Sequence, residues 1–159
     1  MSYHVRWCIR RDYPEVVDMY KSGQGILVDY SIEGFEAINR QRNTISMVVE
    51  KGEEILGCMA YELWKHKLVL VSLAVRRDQS LSELGEIMVH KLKNKLSTHR
   101  RRRIETWVYG ENLAALNFLK QNDFLATGDV AEDCYKMIYT VNEWQPTNRI
   151  SQLAPLWEV

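Results

Sequence analysis

Cysteine is scarce in this chain of 159 residues, and the three present, Cys8, Cys58 and Cys134, are odd in number and far apart. That pattern builds no disulfide framework and suits a reducing compartment, so each is read as a small buried residue rather than a ligand. Charge of one sign is missing as well: 21 basic and 21 acidic residues cancel to a formal net charge of zero. Without a basic surplus the chain has no general electrostatic hold on nucleic acid or an anionic membrane. No apolar run approaches the roughly 18 residues of a membrane span, and Met1-Ser-Tyr-His-Val-Arg6 lacks the apolar core of a signal peptide. The expected location is the cytoplasm. The histidines, His4, His66, His90 and His99, form no close pair, and neither Cys-x-x-Cys nor His-Glu-x-x-His occurs. No metal is expected.

What is present is enough apolar chain for one globular domain with a proper core, 46% of all residues. Tyr3 to Arg10 alternates like a strand, and Asp12-Tyr-Pro-Glu15 offers a capping aspartate with a glutamate three residues on, predicting a helix through Val16, Val17 and Tyr20. Ser22-Gly-Gln-Gly25 breaks that helix. Ser31 is placed to cap a second, with Ile32, Phe35 and Ile38 on its core face. Ile45 to Glu50 and Ile55 to Trp64 read as strands joined in a hairpin by Lys51-Gly-Glu-Glu54, and Leu68 to Val75 as a third. Leu81, Leu84, Met88, Leu92 and Leu96 recur at helical spacing. Arg100 to Arg103 is the one dense basic run. It is read as a turn after that helix, where cations meet the negative end of the dipole, with an acidic substrate or nucleic acid as the alternative. Ile104 to Tyr109 is a strand, Glu111 to Lys120 a helix and Cys134 to Val141 a strand. The domain spans residues 1–141. Residues 142–159 form a tail that carries Trp144, Pro146, Pro155 and Trp157 and is expected to pack on its own domain or on a dimer partner. The assembly is a monomer or a homodimer.

The stretch from Leu70 to His90 runs from an apolar strand through a polar loop into an amphipathic helix, the order that presents free N–H groups and a helix dipole to an anion. Three segments then carry a resemblance. Leu73-Ala-Val75 with Ser80-Leu-Ser-Glu-Leu-Gly85, Asn112-Leu-Ala-Ala-Leu-Asn-Phe-Leu-Lys-Gln-Asn-Asp-Phe124 and Glu132-Asp-Cys-Tyr-Lys-Met137 occur in the order and spacing of the GNAT superfamily of N-acetyltransferases. Within it they are most similar to the ribosomal-protein-alanine, or protein N-terminal, branch. The resemblance runs from about Val5 to Tyr139. It implies a mixed α/β fold, a central and mostly antiparallel twisted sheet flanked by helices on both faces. It also implies acetyl-coenzyme A as cosubstrate and an amine acceptor such as a protein N-terminus. By the same resemblance Leu73, Ala74 and Val75 would pair with the pantetheine arm like an added strand. Ser80, Leu81, Ser82, Glu83, Leu84, Gly85 and Glu86 would hold the pyrophosphate, and Asn112 would reach the cofactor arm.

Several matched positions depart from the family pattern. Ser80 replaces a glutamine or arginine, Glu83 replaces the loop's first glycine, and Gly85 keeps the second. Trp107 stands where the branch carries its glutamate base and cannot accept a proton. Glu105, two residues earlier on the same strand face, is the candidate substitute, with an ordinary strand residue as the alternative. Leu119 replaces a tyrosine and Asp123 a glycine, and Leu125 to Ala131 is shorter than in the branch and omits a tyrosine-rich stretch. Tyr135, and beside it Tyr109, are the phenols left to protonate the leaving thiolate, or are plain sheet residues. Glu62 is read as a wall of the acceptor groove. Two functions follow: an N-acetyltransferase for a primary amine, or a catalytically weak protein of the same fold that binds a partner through its groove or tail.

Overall fold

The computed structural model describes residues 2–141; the expectations for the tail, 142–159, fall outside the described residues. β1 (His4–Trp7) leads through a 3-10 turn into α1 (Tyr13–Ser22), β2 (Gln24–Ile26) and α2 (Ile32–Asn39). A meander follows, β3 (Thr44–Lys51), β4 (Glu54–Leu63) and β5 (Lys67–Val75), and then α3 (Leu81–Lys93), β6 (Arg103–Tyr109), α4 (Leu113–Gln121), β7 (Leu125–Ala131) and β8 (Cys134–Thr140). All eight strands form one sheet in the order β1-β3-β4-β5-β6-β8-β7, with β2 laid against β5. Every pairing is antiparallel except that of β5 with β6.

Strand alternation sorts the core into two layers. Val48, Cys58 and Ala74 face α1 and α2, where they meet Val16, Val17, Tyr20 and Phe35. Met47, Leu73 and Val75 face the opposite side, with Leu84, Met88, Val89 and Leu92 of α3 and Phe118 and Leu119 of α4. The helical spacing of α3 supplies that face. Its four inward side chains are fully buried, each worth about 1.5–3 kcal/mol of transfer free energy. Gly85 lets α3 and α4 approach: a Cβ there would stand 2.5 Å from the Phe118 ring. The meander turns where its sequence says it should, through Gly52 at φ 66° between the paired Lys51 and Glu54.

Four local expectations are corrected. Asp12 does not cap α1 with its side chain. It is buried instead, accepts from the Ile9 N–H at 2.9 Å and takes both terminal nitrogens of Arg6 at 2.8 and 3.1 Å. Burial pushes its carboxyl up, but the Arg6 and Ile9 bonds outweigh that and hold it below the ordinary range. On α2 the cap is as expected, Ser31 Oγ accepting from Gly34 N at 2.9 Å, and Phe35 is fully buried, yet Ile32 stays 40% exposed. β2 and β7 are strands that periodicity missed. Glu132 and Asp133, matched to a family motif, are the two central residues of the β7–β8 hairpin, with φ of 51° and 66°. Such a turn ordinarily uses Asn-Gly.

A third left-handed residue has a direct consequence. Asp123 follows α4 at φ 74°, the position where a helix C-terminus favours glycine. Its side chain meets Lys93 Nζ at 3.5 Å, a surface pair that adds little. Asp123→Gly is therefore expected to stabilise the fold by about 0.5–1 kcal/mol, read as a higher urea midpoint with an unchanged slope. An equal or lower midpoint would mean that the Lys93 contact outweighs the backbone strain.

Candidate functional site

The site begins where two parallel strands separate. β5 and β6 pair only over Lys67–Val69 and Arg103–Glu105. Immediately beyond, Thr106 Oγ1 donates to the Leu70 carbonyl at 2.8 Å and closes the base of a V. From there β6 continues with β8 and β5 continues with β4. The register of β5 also slips, Ala60 facing Ser72 but Tyr61 facing Leu70, so Val71 is left outside the ladder as a bulge. Bulges re-aim backbone groups beside functional sites. The cleft between the arms has a volume of about 770 Å³ and is lined by Val71, Trp107, Tyr109, Asn112 and Cys134, with Tyr20 and the Ile26–Asp29 stretch as its roof.

The roof is aromatic and polar at once. Tyr30 Oη lies 3.4 Å from Ser72 Oγ, and Tyr20, fully buried, packs edge-on against Tyr30 with centroids 5.3 Å apart. The Tyr20 hydroxyl makes no hydrogen bond of good geometry. Burial pushes both phenols above their ordinary value, so they stay neutral near pH 7 and serve as donors, not bases.

The structure separates the two residues read as acid and base. Glu105 pairs with Ile138 and Tyr135 with Val108. Residues 135 and 138 are an odd step apart on β8, so Glu105 and Tyr135 point to opposite faces of the sheet. Glu105 lies at the closed end of the V, 4% exposed. Its oxygens are held by Arg103 Nε at 2.6 Å, Lys67 Nζ at 3.1 Å and Lys136 Nζ at 3.7 Å. Burial raises its carboxyl, but those cations outweigh burial and leave it below the ordinary value. A carboxylate so held is a poor proton acceptor. Tyr135 stacks over Gly110, where a Cβ would meet its ring at 2.8 Å, and borders a separate hollow with Val130 and Asp133. Tyr109 borders that hollow too and also lines the cleft. Glu62 accepts from Trp64 Nε1 at 2.9 Å outside the cleft lining.

The residues read as the cofactor edge lie between two strands of this chain. Leu73, Ala74 and Val75 pair with β4 on one side and with Ile26, Gly25 and Gln24 of β2 on the other. Ser80 ends the loop and caps α3, its Oγ accepting from Glu83 N at 3.1 Å and its carbonyl from Leu84 N at 3.0 Å. Leu81, Ser82, Glu83, Leu84, Gly85 and Glu86 thus form the first turns of α3, and the Glu83 and Leu84 N–H groups already have partners in the chain. Asn112 caps α4 through Ala115 N at 3.2 Å and donates to the Gly25 carbonyl at 2.9 Å. Sequence reasoning missed Gln24, Gly25 and Val71. The signal for the first two was the Gly-x-Gly spacing, since glycine in a strand marks a close backbone approach; the bulge at Val71 left none.

An eight-stranded, mostly antiparallel sheet opened by one parted parallel pair and flanked by helices on both faces is the scaffold of the N-acetyltransferases. The sequence matches the model of the acetyltransferase (GNAT) family over residues 5–124, and the chain belongs to that family of enzymes. No curated protein sequence matches it. Among solved structures it is similar to a PaiA N-acetyltransferase from Thermoplasma acidophilum in complex with coenzyme A, with a TM-score of 0.75, 14% identity, and 88% of this chain and 99% of that one covered. It is similar to Ard1 from Thermoplasma volcanium, with a TM-score of 0.75, 15% identity, and 90% and 100% covered. It is also similar to the ribosomal-protein-alanine N-acetyltransferase from Escherichia coli, with a TM-score of 0.73, 16% identity, and 91% and 97% covered. Similarity at this identity establishes the fold.

Proposed function

We propose that this protein transfers the acetyl group of acetyl-coenzyme A to a primary amine, and that the acceptor class is the α-amine of a protein N-terminus. The parted β5–β6 pair carries the reading: it leaves Val71 of β5 and Trp107–Tyr109 of β6 lining one cleft, which suits an amide-rich, extended thioester carrier. The coenzyme A complex of one structural relative and the ribosomal-protein alanine named as acceptor for another support it.

In this reading the amine nitrogen attacks the thioester carbonyl carbon, the new C–N bond forms as the C–S bond breaks, and the thiolate departs. Negative charge grows on the carbonyl oxygen, and the backbone of Val71, outside the ladder, supplies the donor that meets it. Holding both reactants in the cleft provides much of the acceleration, roughly 7–11 kcal/mol for well-oriented pairs. An α-amine has a reference pKa of about 7.7–8.0 and is partly neutral near pH 7, so water suffices to take its proton. Tyr109, which lines the cleft, is the phenol that protonates the thiolate in this reading.

The test is coenzyme A thiol release with peptides whose N-termini are free or blocked. Free α-amines are expected to react, with kcat/KM rising as pH passes through the acceptor's pKa near 8 and then levelling. Tyr109→Phe is expected to lower kcat by about 100-fold, the low end for a general acid. Acetylation of side-chain or polyamine nitrogens alone would overturn the α-amine assignment, and inertness toward every amine would overturn the reaction.

A further inference from the structure

The edge of β5 that the proposed cofactor needs is already covered. Gln24, Gly25 and Ile26 pair with Val75, Ala74 and Leu73, and the other edge of those residues belongs to β4. β2 therefore lies inside the V, on the strand edge that an extended arm would use. Its approach is closer than a side chain permits. A Cβ on Gly25 would stand 2.2 Å from the Leu73 carbonyl oxygen, and Gly25 holds φ at +135°; a Cβ on Gly23 would stand 2.4 Å from the Val75 oxygen.

Side chains fasten this strand at both ends of the proposed cofactor path. Asn112 Nδ2 donates to the Gly25 carbonyl at 2.9 Å. Gln24 Nε2 reaches into the β5–α3 turn, 2.9 Å from the Gln79 carbonyl and 3.2 Å from that of Arg77. Arg77 Nε in turn donates to the Ser22 carbonyl at 2.9 Å. Ile26 is buried in the core beside α3, which favours the closed state without a ligand. The chain that follows, 27–31, has no regular secondary structure. Its one ion pair, Lys21 with Asp29 at 3.9 Å, is largely exposed. A three-residue strand joined to such a segment can leave the sheet at the cost of withdrawing one core side chain, Ile26, from beside α3.

We infer that β2 is a displaceable strap: it closes the Leu73–Val75 edge in the resting protein and leaves it when the pantetheine arm of acetyl-coenzyme A binds, exchanging strand for ligand. The inference rests on the acetyl-coenzyme A reading above. Apparent affinity is then the intrinsic affinity reduced by the fraction of molecules with the strap open.

The test is calorimetric titration with acetyl-coenzyme A, alongside amide hydrogen exchange of the β2 peptide. Gly25→Ala cannot keep the close approach and is expected to bind about tenfold tighter than the parent. Should that variant misfold, Gln24→Ala removes one fastening and is expected to bind about threefold tighter. A protein carrying Ile26→Cys with Leu73→Cys, whose positions face each other across the ladder, is expected to lose binding when oxidised and regain it on reduction. In the parent, exchange over residues 24–26 is expected to speed up on binding. Parent binding with equal affinity in the oxidised and reduced forms, and with unchanged exchange at β2, would overturn the strap and leave the acetyl-coenzyme A reading intact. Failure of every form to bind, with the strap variants included, would overturn both and make β2 a permanent strand.

Discussion

Phe35→Ala is expected to cost about 4 kcal/mol of folding stability, within the range for emptying a buried phenylalanine site. Phe35 is fully buried and sits at the meeting point of three tyrosines, its ring 5.0 Å from Tyr13, 5.3 Å from Tyr30 and 6.1 Å from Tyr20. Such ring contacts add about 0.5–1.5 kcal/mol each beyond the area they bury, and a site walled by three rings collapses poorly after truncation. For a chain of this size the loss corresponds to a melting temperature lower by roughly 10 °C. Function should suffer too, because Tyr20, which packs on Phe35, lines the cleft. Phe35→Leu, which refills most of the volume, is expected to lose only about 1–2 kcal/mol. Thermal melts that place the alanine variant within a degree or two of the parent would show that the aromatic cluster does not hold α2 to the sheet.

The same residue shows what could be read from the sequence. Phe35 stood on an apolar helical face behind a serine cap, and both the cap and its burial are found in the structure. Ile32, from the same face, is half out in solvent because α2 spans only the eight residues Ile32–Asn39 and its first turn overhangs the layer. Periodicity reports which residues share a side of a helix, not how far the neighbouring surface extends. The sheet strands with strong β-branched and apolar content, β3 to β6, were legible for the same reason, as was the turn at Gly52. β7 was not, since all of its residues are exposed and its alternation carries no burial signal. β2 was hidden differently. Two of the residues from Gly23 to Gly25 are glycines, which signal the end of a helix as readily as a backbone brought against another backbone.

The cleft was legible in part, through residues that act by position in the chain. Leu73–Val75, Ser80 and Asn112 carry the spacing of a motif; of these the structure puts Asn112 in the cleft lining, Leu73–Val75 between β4 and β2, and Ser80 at the start of α3. What spacing cannot supply is which partner each group meets. Asn112 and Ser80 were read as reaching outward to a ligand, yet both are bonded to this chain's own backbone. Glu105 and Tyr135 were chosen by chemical type, and their orientation depends on the β6–β8 register, which only the folded sheet defines.

Glu105→Gln is expected to destabilise the protein by about 2 kcal/mol, with a pH signature that a catalytic base would not produce. The glutamine keeps the volume but removes the charge facing Arg103, Lys67 and Lys136, leaving three cations at the closed end of the V without their shared anion. Those cations keep part of their hydration, so the loss stays below that of breaking a wholly buried pair. Because the carboxyl is held below its unfolded value of 4.5 in the native state, its contribution is fully present above that value and disappears as pH falls through the lower, folded one. The stability gap between parent and variant should therefore be constant near neutral pH and close in acid, which urea titrations across that range measure directly. A base in the reaction would give the opposite pattern: a large drop in kcat with little change in the urea midpoint. The geometry of three cations around one buried carboxylate favours the stability effect.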